Sequence, residues 1–429
     1  MELSINSQGL KGELAVPGDK SISHRSIMFG AISQGITRVT HFLQSDDCQS
    51  TVQLFQQLGV KIFEEEGDLL IEGQGGYQFS PCQSPLDVGN SGTTIRLVMG
   101  ILAQSQTPYT LIGDASIKKR PMNRVMAPLT LMGADIKALG KTGCAPLTIN
   151  PVSSLTPINY QIPIASAQVK SALLFAALQG TGTTRLIEKE KTRDHTEAMI
   201  RQFGGQIDVK GKEITLTGPQ TLRAAHVIVP GDISSAAFFI AGALLVPGSD
   251  IVLTNVGLSP TRTGMLDVVR EMGGHVTLVK EDTLNQSGDI RIKSSELRGC
   301  VVEGEMIPRL IDELPLIALL ATQAKGTTVI RDAEELRVKE TDRISAVATE
   351  LTKMGADIKE KPDGLIIQGG TPLHGACVTS FGDHRIGMML QIAGLIVSTG
   401  SLILEKSDAI SISYPHFFTD LASLDIKEN

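Results

Sequence analysis

The 429-residue chain has no tryptophan, and only 4% of its residues are aromatic. It has little to offer as a stacking platform for bases. With 39 basic against 46 acidic residues, a formal charge of −7, it has no general basic face either, so no nucleic-acid partner is expected. Long apolar runs are also missing: the most hydrophobic stretches, 236–246 and 386–397, are too short or too interrupted to span a bilayer. Residues 1–11 hold no apolar leader core, so a cytoplasmic protein without a membrane partner is expected. Five cysteines (Cys48, Cys82, Cys144, Cys300, Cys377) are odd in number, far apart and never in a C-x-x-C pair, which argues against a disulfide framework and against a metal site. What is present is 41% hydrophobic residues with 43 glycines and 19 prolines, enough for two or more packed domains.

A phrase of the form apolar-Gly-x-x-apolar recurs at Leu58 to Ile62, Met132 to Ile136, Phe203 to Ile207, Met272 to Val276 and Met354 to Ile358. An amphipathic stretch with a capping residue precedes each copy, and alternating sequence such as Ile214-Thr215-Leu216-Thr217 follows, so each phrase marks a helix-to-strand junction. Residues 421–426 read as a worn sixth copy. A second family of segments is apolar on all sides and predicts six buried helices, at 21–33, 91–103, 166–178, 234–246, 310–324 and 383–397. Six α/β units of about 70 residues, each βαβαββ-like, fill the chain.

The phrase Val16-Pro17-Gly18-Asp19 returns as Val229-Pro230-Gly231-Asp232, as if the chain began again. Two domains of three units follow: 14–228, and 229–429 joined by the N-terminal strand within 1–13. A solenoid scaffold without chemistry is the bland alternative, and the residues at the helix starts argue against it.

Those starts gather polar and cationic side chains. Lys20, Ser21 and Arg25 open the first buried helix, Asn90-Ser91-Gly92-Thr93 the second, Ser166, Ala167 and Gln168 the third, and Asp383-His384-Arg385 the sixth. Arg120 precedes Pro121 after Lys118-Lys119, Arg193 follows Thr192, and Lys339 and Arg343 flank another start. A helix N-terminus presents unpaired N–H donors and a fractional positive charge, and arginine adds a fork that matches phosphate or carboxylate. Helix starts facing one another across a cleft would bind a small polyanion, and would repel until it entered, so closure on the ligand is expected. Each piece also has an ordinary reading: Ser, Thr, Asp and Asn cap helices, and His24 and His195 are more simply structural histidines, left out of the catalytic set. Two carboxylates stand out. Asp312 lies in Ile311-Asp312-Glu313-Leu314-Pro315 before an apolar run, a setting that can tune a carboxyl group, and Glu340 lies between Lys339 and Arg343, where plain ion pairing competes with an acid role.

Asp19-Lys20-Ser21-Ile22-Ser23-His24-Arg25, Gly89-Asn90-Ser91-Gly92-Thr93, Lys119-Arg120-Pro121-Met122, Ser166-Ala167-Gln168-Val169-Lys170-Ser171, Lys339-Glu340-Thr341-Asp342-Arg343 and Gly382-Asp383-His384-Arg385 together resemble the enolpyruvyl transferases, in the branch whose acceptor is shikimate 3-phosphate. The likeness covers essentially the whole chain. It implies an α/β fold of two domains, each three βαβαββ units around buried helices, with the active site in the cleft between them. It implies transfer of the enolpyruvyl group of phosphoenolpyruvate to the 5-hydroxyl of shikimate 3-phosphate by addition and elimination, in a monomer without metal or organic cofactor. Carried over residue by residue, Lys20, Ser21, Arg25, Ser166, Gln168, Arg193, Asp312 and Lys339 would hold shikimate 3-phosphate. Lys20, Asn90, Gly92, Arg120, Gln168, Arg343 and Arg385 would hold phosphoenolpyruvate. Asp312 would take the hydroxyl proton, and Glu340 with Lys20 would move protons at the methylene carbon. On this reading Arg343→Ala is expected to raise the KM for phosphoenolpyruvate with the fold unchanged.

The chain departs from one class of the family, which carries a lysine where Ile412 stands before Pro415 and in which that lysine assists inhibition by glyphosate. Arg193-Asp194-His195-Thr196-Glu197 is the phrasing of the second class. Two other functions compete. The sister activity on UDP-N-acetylglucosamine goes with Lys-Asn where this chain has Lys20-Ser21, and with a loop cysteine where it has Ala115-Ser116-Ile117-Lys118. A non-catalytic anion-binding protein would keep the arginines but has no use for Asp312 and Glu340 together.

Overall fold

The computed structural model describes residues 1–140, 143–283 and 286–426. Every repeated phrase is a helix end. Gly59, Gly133, Gly204, Gly273 and Gly355 all have φ between 81° and 100°, a left-handed conformation that a Cβ would strain. At the first of them the Gly59 N–H donates to Gln56 O and the Val60 N–H to Phe55 O, each at 2.9 Å. The last carbonyls of the helix Asp46–Gln57 are thereby satisfied as the chain turns out of it. A hairpin follows, Lys61–Glu65 against Asp68–Gln74, and the same pattern returns as far along as Asp357–Lys361 against Gly364–Gln368.

Among the described residues these repeats build six sheets, five of them four-stranded with one common order. In each of the five a short edge strand runs parallel to the next, and an antiparallel hairpin completes the sheet. Asn159–Gln161, Gly182–Ile187, Glu213–Gly218 and Asp208–Lys210 lie side by side in this way. The sixth sheet has two strands, Cys377–Thr379 and Ile403–Glu405. Glu2 makes an antiparallel bridge to Ile403, so the N-terminal residues take a place that a hairpin strand fills elsewhere. Residues 421–426 accordingly do not lead into a hairpin. They end the helix Phe417–Leu424, and Asp425 then bridges to Leu10.

The chain divides into two compact units, Gly18–Val229 and Met1–Pro17 with Pro230–Asn429. Three helices form the centre of the first: Lys20–Ile32, Gly92–Ile101 and Ala167–Ala177. Phe29 and Phe175, on the outer two, have ring centroids 4.8 Å apart. Ile233–Leu245, Leu314–Gln323 and His384–Gly394 do the same in the second unit. These helices are buried almost all round because nearly every side is apolar, and each fully buried Leu, Ile or Phe contributes roughly 1.5–3 kcal/mol. The sheets each present one apolar face to them. In both units one sheet takes its edge strand from far along the sequence: Lys11–Ala15 runs parallel to Asp250–Gly257, and His226–Ile228 to Gln34–Thr40. Among the described residues no helix is long and apolar enough to cross a membrane.

One predicted helix is broken. Instead of a continuous element over 310–324, Ile307–Leu310 is a single helical turn, residues 311–313 form a turn, and a new helix runs over Leu314–Gln323. Pro315 explains the restart, since it has no N–H to give and is tolerated only in the first turn. Asp312 is thereby placed in the turn that opens a buried helix.

Candidate active site

The unit Gly18–Val229 carries one cluster of the predicted residues. Asp19 caps the helix Lys20–Ile32 by accepting from the Ile22 N–H at 2.9 Å, leaving the Lys20 and Ser21 side chains available for other partners. Lys20 forms an ion pair with Asp47. The buried Arg25 donates through Nε to Thr196 Oγ1 at 2.7 Å and through Nη2 to Ser171 Oγ at 2.8 Å, so its fork is held by the other two segments of the cluster. Arg193 donates to Ser21 Oγ at 3.4 Å. Its loop is pinned from below by Lys170, 1% exposed, whose Nζ lies 3.1 Å from Glu188 and 2.7 Å from Glu197 on either side of that loop. Burial pushes the Glu197 carboxyl up, and the Lys170 charge opposes that.

At the other two helix starts Ser91 and Ser166 act as ordinary caps, accepting from Thr94 and Val169 N–H groups. Gln168 is poised by Arg96, which donates to its Oε1 at 2.6 Å, while its own Nε2 donates to Thr93 Oγ1 at 3.2 Å. Asn90 donates to Asp114 Oδ2 at 2.5 Å. The basic loop 114–120 is braced by hydrogen bonds of its own. Asp114 Oδ1 accepts from the Ser116 and Ile117 N–H groups, Ile117 is fully buried, and of the three cations Lys118 and Lys119 are exposed while Arg120 is buried. Arg120 is 6% exposed and lies against Gly92, where a Cβ would come within 2.5 Å of its Nη1. Gly92→Ala is therefore expected to displace this guanidinium and raise the KM for phosphoenolpyruvate by about tenfold or more, a loss of about 1.4 kcal/mol. Thermal stability should hold, because the atom that must move is the far end of a side chain. Initial rates and melting curves of the purified variant test both parts, and an unchanged KM would take Arg120 out of the phosphoenolpyruvate site.

His24 is fully buried, with Nδ1 2.7 Å from Thr51 Oγ1. Burial, helped by the Lys20 and Arg25 charges, holds its imidazole well below the ordinary histidine range, so it stays neutral near pH 7. The unfolded chain then binds the extra proton as pH falls through about 6.5, and stability is lost in that direction. Between pH 7.5 and 5.5 this group alone should remove on the order of 1 kcal/mol from urea-unfolding free energies. His24→Asn should flatten that fall, and an equal fall in both proteins would contradict it. Cys48, pushed up to about 12 chiefly by burial, is equally unreactive.

The second unit holds the other cluster. Arg343, 1% exposed, is the hub of three carboxylates: Nε donates to Asp383 Oδ2 at 2.7 Å, Nη1 to Asp312 Oδ1 at 3.1 Å and Nη2 to Glu340 Oε2 at 2.7 Å. Burial works against its charge, but Asp383, Glu340 and Asp312 outweigh that and shift it upward. Lys339 Nζ lies 3.8 Å from Asp312, and Arg385 Nη2 lies 3.7 Å from it. Loss of hydration pulls the Lys339 ammonium below the ordinary lysine range, with Asp312 opposing. Asp312 is thus ringed by three cations, Lys339, Arg343 and Arg385.

Of the predicted residues, Lys20, Ser21, Arg25, Ser166, Gln168, Arg193, Asn90, Gly92 and Arg120 belong to the first unit, and Asp312, Lys339, Glu340, Arg343 and Arg385 to the second. Several supporting residues were given no site role from sequence. Asp47, Arg96, Lys170 and Asp383 hold predicted ones in place, and Glu313, next to Asp312, accepts from Ser234 in a buried set with Arg262 and Asp232. A charge inside an otherwise apolar helix was the available signal for Arg96 and Lys170. Among the described residues no three His, Cys, Asp or Glu side chains gather where they could hold a metal.

Two units of repeated α/β construction, each with cationic groups at the starts of its buried helices, define an enolpyruvyl transferase fold. The solved structure of the enolpyruvyl transferase NikO from Streptomyces tendae shares it over 99% of this chain and 96% of that one, with a TM-score of 0.78 and 16% identity. Closer likenesses narrow the class: the EPSP synthase (3-phosphoshikimate 1-carboxyvinyltransferase) family matches residues 5–421. The 3-phosphoshikimate 1-carboxyvinyltransferase of Enterococcus faecalis (strain ATCC 700802 / V583) is 59% identical over 424 residues, 99% of this chain and all of that one. The EPSP synthase of Acinetobacter baumannii superposes with a TM-score of 0.86 at 41% identity, over 99% and 98% of the two chains. The chain belongs to the EPSP synthase family.

Proposed function

We propose that this protein transfers the enolpyruvyl group of phosphoenolpyruvate to the 5-hydroxyl of shikimate 3-phosphate, releasing phosphate. The observation that carries the reading is Asp312: a carboxylate in a turn, within 3.8 Å of Arg343, Lys339 and Arg385, is a base held among groups that bind anions. Arg25, Arg193, Ser21, Ser166, Gln168 and Lys339 bind and orient shikimate 3-phosphate, and Arg120, Arg343, Arg385, Asn90 and the Gly92 backbone bind phosphoenolpyruvate. Lys20 serves both.

In the addition step a proton goes to the methylene carbon of phosphoenolpyruvate from Glu340 or Lys20. Cationic character develops at C2, and the 5-hydroxyl oxygen bonds there as Asp312 takes its proton. In the elimination step the C–O bond to phosphate breaks and a methyl proton leaves, regenerating the vinyl ether. Arg343, donating to Glu340, keeps that carboxyl group fixed in the meantime. A monomeric, cytoplasmic enzyme goes with this reading.

Phosphate release from phosphoenolpyruvate tests it, with shikimate 3-phosphate as acceptor in one reaction and UDP-N-acetylglucosamine in another. Release with the first alone is expected. Release with the second alone would transfer the assignment to the sister activity. Tight binding of shikimate 3-phosphate with no release from either would make the protein a binding module.

A further inference from the structure

Two carboxylates stand side by side at the start of the buried helix Leu314–Gln323, and the structure gives them different partners. The Asp312 carboxylate lies within 3.8 Å of Lys339, Arg343 and Arg385. Glu313 is 1% exposed and occupies the N-cap position, yet its side chain makes no capping hydrogen bond to its own helix. A Ser, Thr, Asp or Asn normally caps at such a place. The Glu313 carboxylate is used instead on another helix: its Oε1 accepts from the Ser234 hydroxyl, at the start of Ile233–Leu245.

That hydroxyl is itself fully engaged. Arg262, from the loop between Asp250–Gly257 and Gly264–Glu271, donates through Nη2 to Ser234 Oγ at 2.8 Å and to Asp232 Oδ1 at 3.0 Å. Asp232 Oδ1 also accepts from the Ser234 N–H at 2.8 Å and so caps the helix Ile233–Leu245. A guanidinium can only donate, so the Ser234 oxygen is an acceptor toward Arg262 and its one proton is left for Glu313. The direction of each bond along Arg262, Ser234 and Glu313 is thereby fixed. All of these side chains are 5% exposed or less, and among the described residues Ser234 is the only hydrogen-bond donor to the Glu313 carboxylate.

A buried charged set is weak evidence of a gain in stability, because apolar side chains of the same volume often serve as well, and its best-attested use is to fix a register. Here the element fixed is the turn over residues 311–313. The Glu313 N–H donates to Leu310 O at 2.9 Å, and its carbonyl accepts from the Leu316 N–H at 2.9 Å and the Ile317 N–H at 3.0 Å, so main chain and side chain are all held. Asp312 is the adjoining residue, and consecutive Cα atoms are about 3.8 Å apart across a rigid peptide unit. A displacement of Glu313 is therefore handed on to Asp312. A general base must come within about 2.6–3.2 Å of the oxygen whose proton it takes, and a misplacement of about 1 Å can cost about a hundredfold in rate.

Resting on the reading of Asp312 as the general base, we propose that Glu313 is a positioning residue: its bond to Ser234 sets the place of the turn, and with it the reach of the Asp312 carboxylate toward the acceptor hydroxyl. Glu313 acts through Asp312 and takes no proton itself.

Steady-state kinetics and melting curves of full-length variants test this. Glu313→Met keeps the bulk of the side chain but removes the acceptor, and should lower kcat about ten- to a hundredfold with both KM values within about threefold of the parent. Glu313→Gln returns an acceptor to the Ser234 hydroxyl and should recover most of that loss. Ser234→Ala breaks the same bond from the other side and should lower kcat in the same sense, so it stands in if Glu313→Met does not fold. In an Asp312→Asn background Glu313→Met should have no further effect on kcat, because no base is left to misplace. The proposal is overturned if the folded variants keep the parent kcat however far their melting temperatures fall, if only KM rises, or if the loss repeats in full beside Asp312→Asn. Asp312→Asn alone separates this proposal from the reading beneath it. A kcat near the parent's there removes the base and the positioning role together, whereas a large loss there with a parent-like Glu313→Met removes the positioning role only.

Discussion

Asp312→Asn should lower kcat by about 10²- to 10⁴-fold while leaving the protein able to bind shikimate 3-phosphate. The substitution keeps an acceptor for the Arg343 Nη1 donor and the shape of the turn before the helix Leu314–Gln323, but it removes the only function a general base has. It also leaves Lys339, Arg343 and Arg385 with one negative charge fewer among them, so anion affinity should hold or rise. Phosphate release at saturating substrate, set beside calorimetric titration with shikimate 3-phosphate, separates the two effects. A kcat within tenfold of the parent would remove Asp312 as the base, and a parallel loss of binding would make its role structural.

Arg343→Ala carries the second large effect, and here the structure alters the expectation drawn from sequence. A fold left unchanged is not compatible with a guanidinium that is 1% exposed and bonded to Asp383, Asp312 and Glu340. Removing one member of a buried ion network leaves the remaining charges uncompensated, at about 3–5 kcal/mol. Spread over a unit of this size, that lowers the melting temperature by about 10 °C. The KM for phosphoenolpyruvate should still rise at least about tenfold when measured well below that transition. Arg343→Lys keeps the charge but cannot span three carboxylates, and should fall between the two in stability. A variant as stable as the parent would mean the carboxylates are less buried than they look, and an unaltered KM would take Arg343 out of the substrate site.

These two residues also mark how far the sequence could be read. The six units were legible because each helix end needs a glycine at positive φ, and Gly59 and its four counterparts repeat at a nearly constant interval. Which residues begin the buried helices was legible for the same reason, since polar side chains interrupt apolar runs there. Partnerships were not. Arg343 and Asp383 are far apart in the chain and meet only because two helix starts pack together, as do Lys20 with Asp47, and Gln168 meets Arg96 because a helix start packs against the interior of another helix. Local pattern carries no information about such pairs. It also failed at 310–324, where the apolar run outweighed the signal of Pro315 and concealed the turn that places Asp312.

The strand Lys11–Ala15 is made first and must wait for Asp250–Gly257, with the whole of Gly18–Val229 synthesised in between. Closing an unfolded loop of roughly 200 residues costs on the order of 5 kcal/mol in chain entropy. The intervening unit offsets that cost if it folds beforehand, because its own ends are brought together when His226–Ile228 pairs with Gln34–Thr40. The two exits of the chain from the other unit are then already neighbours, as the hydrogen bond from the Asp232 N–H to Pro17 O at 2.8 Å records. Folding of the inserted unit first would therefore lower the entropy cost of closing the interrupted one around its own earliest strand.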